Sequence, residues 1–290
     1  MDWLDFLDED RKHQYPPTTL GVPRLHPSWV SEYTLCGYKF YLRRIQKKRF
    51  TRVSAAVGTG CHKTMERVNY GKLAGQTVTK EEGADVSVAA YDEAIQEAEC
   101  LDTQGAVDKG RDEAAVGGGS VVSVVSPRIR TPVLVESVRV ATFDTEEGPV
   151  ELAGTIDYAT EEKGRLIVRD LKTVRRAKKP DWAHGLGQLS AYGILLQGGG
   201  HEWPAGFVVD QLRVAARGWL YEPLATTRTE ADYLAFWQRV QGVLRGIKAG
   251  VFQPAAEGAW NCSERWCEYW TSCPFVAGRR RQSPGPEGDE

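Results

Sequence analysis

Between residues 132 and 173 the apolar positions gather into three β-rich runs, "PVLVESVRVAT", "VELAGTIDYAT" and "RLIVRDLKT". The polar breaks between them, "EEGP" and "EEKG", have the composition of hairpin turns. Beyond these strands the pattern returns to helix in "DWAHGLGQLSAYGILLQ", breaks at "QGGGHE", gives one more strand in "AGFVVDQLRV" and closes with the long helix "ADYLAFWQRVQGVLRGIKAG". Upstream, residues 57 to 115 are helical but less regular, and the glycine-rich "VGGGS" of 116 to 120 predicts a flexible end to that stretch. In "HPSWVSEYTLCGYKFYLRRIQKKRF" Ser28 is a candidate N-cap, and Trp29, Tyr33, Phe40 and Tyr41 give partial helical spacing. Residues 1–25, polar and with a Pro-Pro pair, predict a mobile arm, and 277–290 a disordered tail. No internal repeat is visible. The pattern predicts a mixed α/β domain with helices around a sheet.

A chain of 290 residues has room for one large core or two modest ones, and its 41% hydrophobic content with nine tryptophans fits a packed globular protein. The formal net charge of -2 excludes a uniformly basic nucleic-acid coat, so a basic surface must be local. Two such stretches exist. Lys39, Arg43, Arg44, Lys47, Lys48, Arg49 and Arg52 are seven basic residues with no intervening acid, interleaved with aromatics, and Arg175, Arg176, Lys178 and Lys179 follow the third β run. A solvated face is the plain reading of such runs, whereas interleaved aromatics favour a phosphate-tracking surface. No apolar stretch approaches the roughly 18 residues needed to span a bilayer. The acidic start "MDWLDFLDEDRKHQYPP" lacks the order of a signal peptide. A cytoplasmic location is therefore expected, in which the six cysteines serve as metal ligands or core residues, not disulfides.

The chemistry concentrates around the second and third β runs. If these are neighbouring strands, Asp157 and Asp170 converge at one end of the sheet. Two carboxylates with a backbone carbonyl, for which Leu171 is the candidate, are hard oxygen ligands suited to Mg²⁺ or Mn²⁺. Lys172 projects on the same strand face as Asp170, where an ammonium would orient water or stabilise developing charge. The plain alternative is a surface Asp–Lys pair of little energetic value. His62, in "GTGCHKTMERV", lies just inside a helix predicted to begin after a glycine-rich turn, and a neutral imidazole would complete an oxygen-rich site. Gln188 and Tyr192 stand one helical turn apart in "GQLSAY". Cys262, Cys267 and Cys273 fall within twelve residues, with gaps of four and five. That spacing suggests a bound zinc or iron–sulfur centre needing a fourth ligand. Cys36 is the natural candidate, with Cys61 and Cys100 as competitors.

The ordered set "TLCGYKFYLRR", "GTGCHKTMERV", "AGTIDYA", "VRDLKT", "GQLSAY" and the three-cysteine group resembles the RecB-like branch of the PD-(D/E)XK nucleases, specifically the iron–sulfur exonucleases that include CRISPR-associated RecB-like, AddB-type and phage enzymes. The resemblance covers residues 26 to 276. It implies a restriction-endonuclease-like central mixed sheet flanked by helices. It also implies a single domain in which 26–56 and 252–276 form an iron–sulfur cap, 57–120 a helical part and 121–251 the catalytic core. It implies that His62, Asp157 and Asp170 hold Mg²⁺ or Mn²⁺, that Lys172 is catalytic, and that Gln188 and Tyr192 assist at the substrate. Cys36, Cys262, Cys267 and Cys273 would hold a [4Fe–4S] cluster. Two departures stand out: the first gap of the C-terminal cysteines is four residues where the family usually has two, and Ile156 replaces the family's proline. The implied activity is metal-dependent exonuclease action on single-stranded DNA ends in recombination, repair or replication, in a bacterial or phage setting. Implied partners are a helicase, a recombinase or a CRISPR-type protein, with oligomers allowed. The alternatives are a nucleic-acid-binding adaptor subunit of a larger DNA-processing complex and, more distantly, an iron–sulfur redox protein.

Overall fold

The computed structural model describes residues 22–215 and 218–276. The sequence-predicted tail, 277–290, and nearly all of the predicted arm lie outside them. A six-stranded mixed sheet carries the molecule, built from β1 (Arg24–Leu25), β4 (Leu134–Thr145), β5 (Gly148–Glu162), β6 (Arg165–Val174), β7 (Gly206–Ala215) and β8 (Gly218–Thr226). Its order is β1-β5-β6-β7-β8, with β4 also on β5. Two more short strands, β2 (Phe50–Thr51) and β3 (Glu99–Cys100), pair with each other in parallel. The three β-rich runs form the antiparallel β4–β5–β6 meander. Its second turn is a two-residue loop, Lys163 at φ 54° and Gly164 at φ 75° between the paired Glu162 and Arg165, which matches the right-handed strand twist. The parallel β6–β7 pair needs a crossover, supplied by α6 (Pro180–His184) and α7 (Gly187–Gly198).

Helices cover both faces. On one, α3 (Val53–Leu73), α4 (Lys80–Gln96) and α5 (Gln104–Ser120) bury Val57, Met65 and Ala114 against Tyr158, Leu171 and Leu212 of the sheet. On the other, α7 buries Leu189, Tyr192 and Leu196 against Ile156, Val168 and Val209. There α1 (Pro27–Leu35) and α8 (Glu230–Lys248) add Trp29, Phe236 and Val240 over Leu152. A buried polar lock ties the strands on the first face. The Arg169 guanidinium donates to both oxygens of Asp210, at 2.9 and 2.6 Å, and the hydroxyls of Tyr158 and Tyr221 donate to the same carboxylate.

The structure departs from the sequence expectation at several points. The "VGGGS" stretch is the last turn of α5, not a flexible end. A Cβ at Gly118 would meet the Gly83 carbonyl at 2.3 Å and the Ser87 Cβ at 2.5 Å, so the glycine is there because α4 and α5 touch backbone to backbone. For the same reason there is no glycine-rich turn before His62. Helix α3 runs straight through Gly58 and Gly60, the latter against Ser87 of α4. The N-cap position of α1 is His26, which makes no side-chain cap hydrogen bond, with Pro27 at the first helical position; Ser28 lies inside the helix. Arg24 and Leu25, which fall within the expected arm, form β1, held to β5 by a buried Arg24–Glu151 pair at 2.7 Å. Strand β8 was not foreseen in the sequence.

The first and last described segments pack on each other. After α1 the chain continues through α2 (Gly37–Phe40) and a π-turn over Tyr41–Ile45. Against these lie residues 252–276. Tyr38 N–H donates to the Gln253 carbonyl at 3.1 Å, Lys39 pairs with Glu268 at 2.7 Å, and the Tyr269 hydroxyl donates to the Lys48 carbonyl at 2.5 Å.

Candidate active site

The β5–β6 ladder runs from Glu162↔Arg165 up to Tyr158↔Arg169 and stops. One step further the same register sets Asp157 opposite Asp170, so the two carboxylates meet where the strands part. Leu171 N–H donates to Asp157 Oδ2 at 3.2 Å. Because a strand residue's N–H and C=O point to the same side, the Leu171 carbonyl also faces the β5 side of β6. Helix α3 brings His62 in from above, Nδ1 3.2 Å from Asp157 Oδ2. Lys172, two residues along β6, places its ammonium 2.9 Å from Oδ1 and 2.8 Å from Oδ2 of the fully buried Asp170, with its hydrogen bond to Oδ1. From α7, Gln188 Nε2 donates to the Tyr192 hydroxyl at 2.5 Å. Helix α3, the hairpin strands β5 and β6, and helix α7 thus supply His62, Asp157, Asp170 with Lys172, and Gln188 with Tyr192 to one place.

The charges there are strongly coupled. Burial penalises the Asp157 carboxylate, but His62, Lys172 and the Leu171 N–H outweigh it and hold its pKa below the ordinary value. Desolvation works against a charged His62, yet Asp157 prevails and the imidazole pKa is raised. Burial, helped by Asp157 and opposed by Lys172, pushes Asp170 up to about 6. Burial opposes the Lys172 charge, but Asp170 and Asp157 raise its pKa. The Tyr192 hydroxyl is driven well above 10 by burial and by Asp157 and Asp170, so it stays a proton donor.

A pocket of about 480 Å³ opens onto this cluster, walled by His62, Glu66, Glu136, Asp157, Gln188 and Tyr192 among others. The fully buried Asp170 and its partner Lys172 do not line this pocket. Two further acids stand on the wall, Glu66 and Glu136, neither of which the sequence motifs mark. Glu66 stands one turn after His62 on α3, and that spacing was the available signal. Glu136 lies opposite Asp157 by the register of its neighbours Val135↔Tyr158 and Ser137↔Ile156, yet the ladder is interrupted there and Glu136 adopts φ 42°. A left-handed conformation is costly for a non-glycine residue in a strand. Burial, then Asp157 and Glu66, push its carboxyl up to about 7. An acid in the middle of "VLVES" was its signal.

Whether these residues suit a divalent cation is answered by their chemistry. The donors are carboxylate oxygens, a backbone carbonyl and one imidazole, and among the described residues the fully buried Asp170 carboxylate has only the Lys172 ammonium, 2.8 Å from Oδ2, to balance its charge at close range. That set fits Mg²⁺ or Mn²⁺. The side chains are presently engaged with one another in the His62–Asp157 and Lys172–Asp170 pairs. Among the described residues no group of three or more His, Cys, Asp or Glu is arranged to hold a metal ion.

Of the six cysteines, all within the described residues, none is in a disulfide. The Cys36 thiol acts electrostatically on both Cys267 and Cys273, and Cys262 on Cys273, so the N- and C-terminal cysteines do approach one another. Burial is the main cause raising Cys267 and Cys273. Cys61 lies apart, fully buried under Gly117 with its thiol pushed up to about 12 by burial and Glu113, and Cys100 sits in β3. The donor set of four thiols suits an iron–sulfur cluster, although it is not gathered into a closed ligand shell.

The basic stretches are less bare than their sequence suggests. Arg43 and Arg44 pair with Glu32 at 3.2 and 3.1 Å, Lys39 with Glu268, and Arg175 with Glu113 at 2.7 Å. Lys47, Lys48, Arg176 and Lys178 are exposed. The acids come from other elements, which a local count of charge does not see.

A mixed sheet flanked by helices, with two acids and a lysine where two central strands part, defines a restriction-endonuclease-like architecture. The profile of the PD-(D/E)XK nuclease superfamily matches residues 24–274, and this chain belongs to that superfamily. No curated protein matches it. Among solved structures, the chain is similar to SSO0001, with 12% identity, 86% of this chain and 95% of that one covered, and a TM-score of 0.36. It is likewise similar to a protein of Eubacterium rectale provisionally named an exonuclease, with 11% identity, coverages of 86% and 94%, and a TM-score of 0.38. Likenesses this distant leave the chemistry to the site itself. Among the described residues no helix is long and apolar enough to cross a membrane.

Proposed function

We propose that this chain is a Mg²⁺- or Mn²⁺-dependent deoxyribonuclease that removes nucleotides from single-stranded DNA ends, serving recombination, repair or replication. The observation that carries the proposal is the meeting of Asp157, Asp170, Lys172 and His62 at the parting of β5 and β6, beside a pocket wide enough for a nucleotide. His62, Asp157, Asp170 and the Leu171 carbonyl would hold the cation. A divalent ion there supplies Lewis acidity to the scissile phosphate and acidifies water. The chain's own residues do the rest. Lys172 holds its charge beside two acids in a partly buried setting, so its ammonium is available to the phosphoryl oxygens as negative charge builds on them. The Tyr192 hydroxyl and Gln188 amide, already hydrogen-bonded to each other, hold substrate oxygens on the opposite wall. The oxygen of water bonds to phosphorus while the P–O3′ bond breaks, and the departing oxygen takes up a proton.

The same reading takes Cys36, Cys262, Cys267 and Cys273 as ligands of a [4Fe–4S] cluster that ties the N-terminal helices to residues 252–276. The catalytic test uses anaerobically purified protein, Mn²⁺ or Mg²⁺, and single-stranded DNA labelled at its 5′ or 3′ end. A ladder from one labelled end is expected, with Asp170→Ala and Lys172→Ala each slower by at least about a hundredfold. Equal cutting by wild type and variants, or no cutting with any divalent metal, overturns the proposal.

A further inference from the structure

Next to the catalytic pocket, and sharing Ser28 and Gln188 with it, lies a second groove of about 840 Å³. It runs between α1, the start of α7, α8 and the loop carrying residues 260–266. Two features distinguish its walls. Four cations line it, Lys39, Arg43, Arg44 and Arg239, and two acids, Glu32 of the wall and Glu268 beside it, pair with the first three. Arg239 is exposed and makes no ion pair or hydrogen bond among the described residues. At the far side two tryptophans stand open to solvent, Trp260 at 67% and Trp266 at 53% exposure, edge to face with centroids 5.7 Å apart. The Arg265 guanidinium lies 5.2 Å over the Trp266 ring.

Two large aromatic faces exposed within seven residues on a chain of net charge -2, and joined to a local excess of positive charge, call for a ligand with both flat apolar rings and anionic groups. An acidic peptide offers the charge without regular rings. A DNA duplex offers charge, but its bases are stacked on one another. A single nucleic-acid strand offers both in a fixed repeat, phosphates for the cationic wall and a base for each indole. Continuity with the catalytic pocket through Gln188 supplies the direction.

We propose that this groove is a subsite for single-stranded DNA, in which bases stack on Trp260 and Trp266 while Arg239 and the Lys39–Arg44 face follow the phosphates that lead past Gln188 into the catalytic pocket. The proposal rests on the nuclease reading for the identity of its ligand, and its test does not depend on catalysis. Trp260 and Trp266 are thus specificity determinants, favouring an unpaired strand over a duplex.

The test measures binding of fluorescein-labelled oligothymidylates of about 4–16 nucleotides to the intact protein in chelator, by anisotropy, beside a duplex of matched length. Trp260→Ala and Trp266→Ala should each weaken single-strand binding by about 5- to 150-fold. Trp260→Phe should restore most of it, and melting temperatures should stay unchanged. Arg239→Ala should weaken binding and flatten the plot of log affinity against log salt by about 0.7. Duplex binding should respond little. Alanine variants that bind single strands as wild type does overturn the subsite. So does self-association of the wild type that the tryptophan variants lose while DNA affinity is unchanged, since the indoles would then serve a protein interface. Wild type that binds through these tryptophans but cuts nothing keeps the subsite and removes the nuclease reading. Cutting with tryptophan-independent binding does the reverse.

Discussion

At the residue scale the site is dominated by charge held at the limit of what burial allows. Glu136 is the clearest case, an acid turned out of its ladder at φ 42° to face Asp157, with its carboxyl pushed from 4.5 up to about 7. An acid whose folded pKa is raised holds a proton in the folded chain that the unfolded chain has already lost. Stability therefore falls as pH rises from about 4.5 to 7 and is level above that. Asp170, pushed up to about 6, adds to the fall with the same sign. So does His62, whose raised pKa gives a contribution present below about 6.5 and lost as pH climbs through the folded value. In chelator, wild type should lose melting temperature between about pH 5 and 7.5. Glu136→Gln removes its share, so the variant should match wild type near pH 5 and exceed it near pH 8 by on the order of 1–3 kcal/mol. Thermal melts of both proteins across that range decide it, and a constant difference at all pH values would show that Glu136 carries no such charge penalty.

At the element scale the sequence determines structure openly where periodicity is local and hides it where packing decides. The β4–β5–β6 meander, β7 and α8 were legible because each carries its own apolar pattern and its own punctuation. The helices of the 57–120 stretch were harder, because glycine reads as a breaker unless the neighbouring helix is known. Gly118 and Gly242 make the distinction testable. Both sit inside helices, where replacing glycine by alanine is worth roughly 0.5–1 kcal/mol in backbone entropy. A Cβ at Gly242 meets nothing within 4 Å, whereas one at Gly118 lies 2.3 Å from the Gly83 carbonyl of α4. Gly242→Ala should therefore raise the denaturation midpoint modestly. Gly118→Ala should lower stability by about 1–3 kcal/mol as α4 and α5 are forced apart. Chemical denaturation of the two variants measures both. A stabilising Gly118→Ala would mean that the helices have room the packing does not show. The same logic explains the basic stretches, whose acidic partners Glu32, Glu113 and Glu268 arrive from α1, α5 and the C-terminal segment.

At the scale of the whole molecule, the site depends on segments far apart in sequence being held together, and the two ends of the described chain provide the last tie. Hydrogen bonds and ion pairs from Tyr38, Lys39 and Tyr269 already fasten α2 and the π-turn to residues 252–276. These contacts are polar and partly exposed, so singly they contribute little. A cluster held by Cys36 and the three C-terminal cysteines would do more, since Cys36 and Cys262 are 226 positions apart in the sequence. Closing a loop of that length in the unfolded chain corresponds to about 5 kcal/mol in the chain-entropy treatment of cross-links. Anaerobically purified wild type should then contain iron and acid-labile sulfide, and Cys36→Ser should lose most of both. The variant should also melt at lower temperature and expose residues 252–276 to protease, while Cys61→Ser, under α5, should keep its iron. The groove beside α1 shares its wall with this cap, through Lys39 and Trp266, so Cys36→Ser should weaken single-strand binding without touching the catalytic pocket. Iron retained in Cys36→Ser would place the ligands elsewhere and leave the polar contacts alone to hold the ends together.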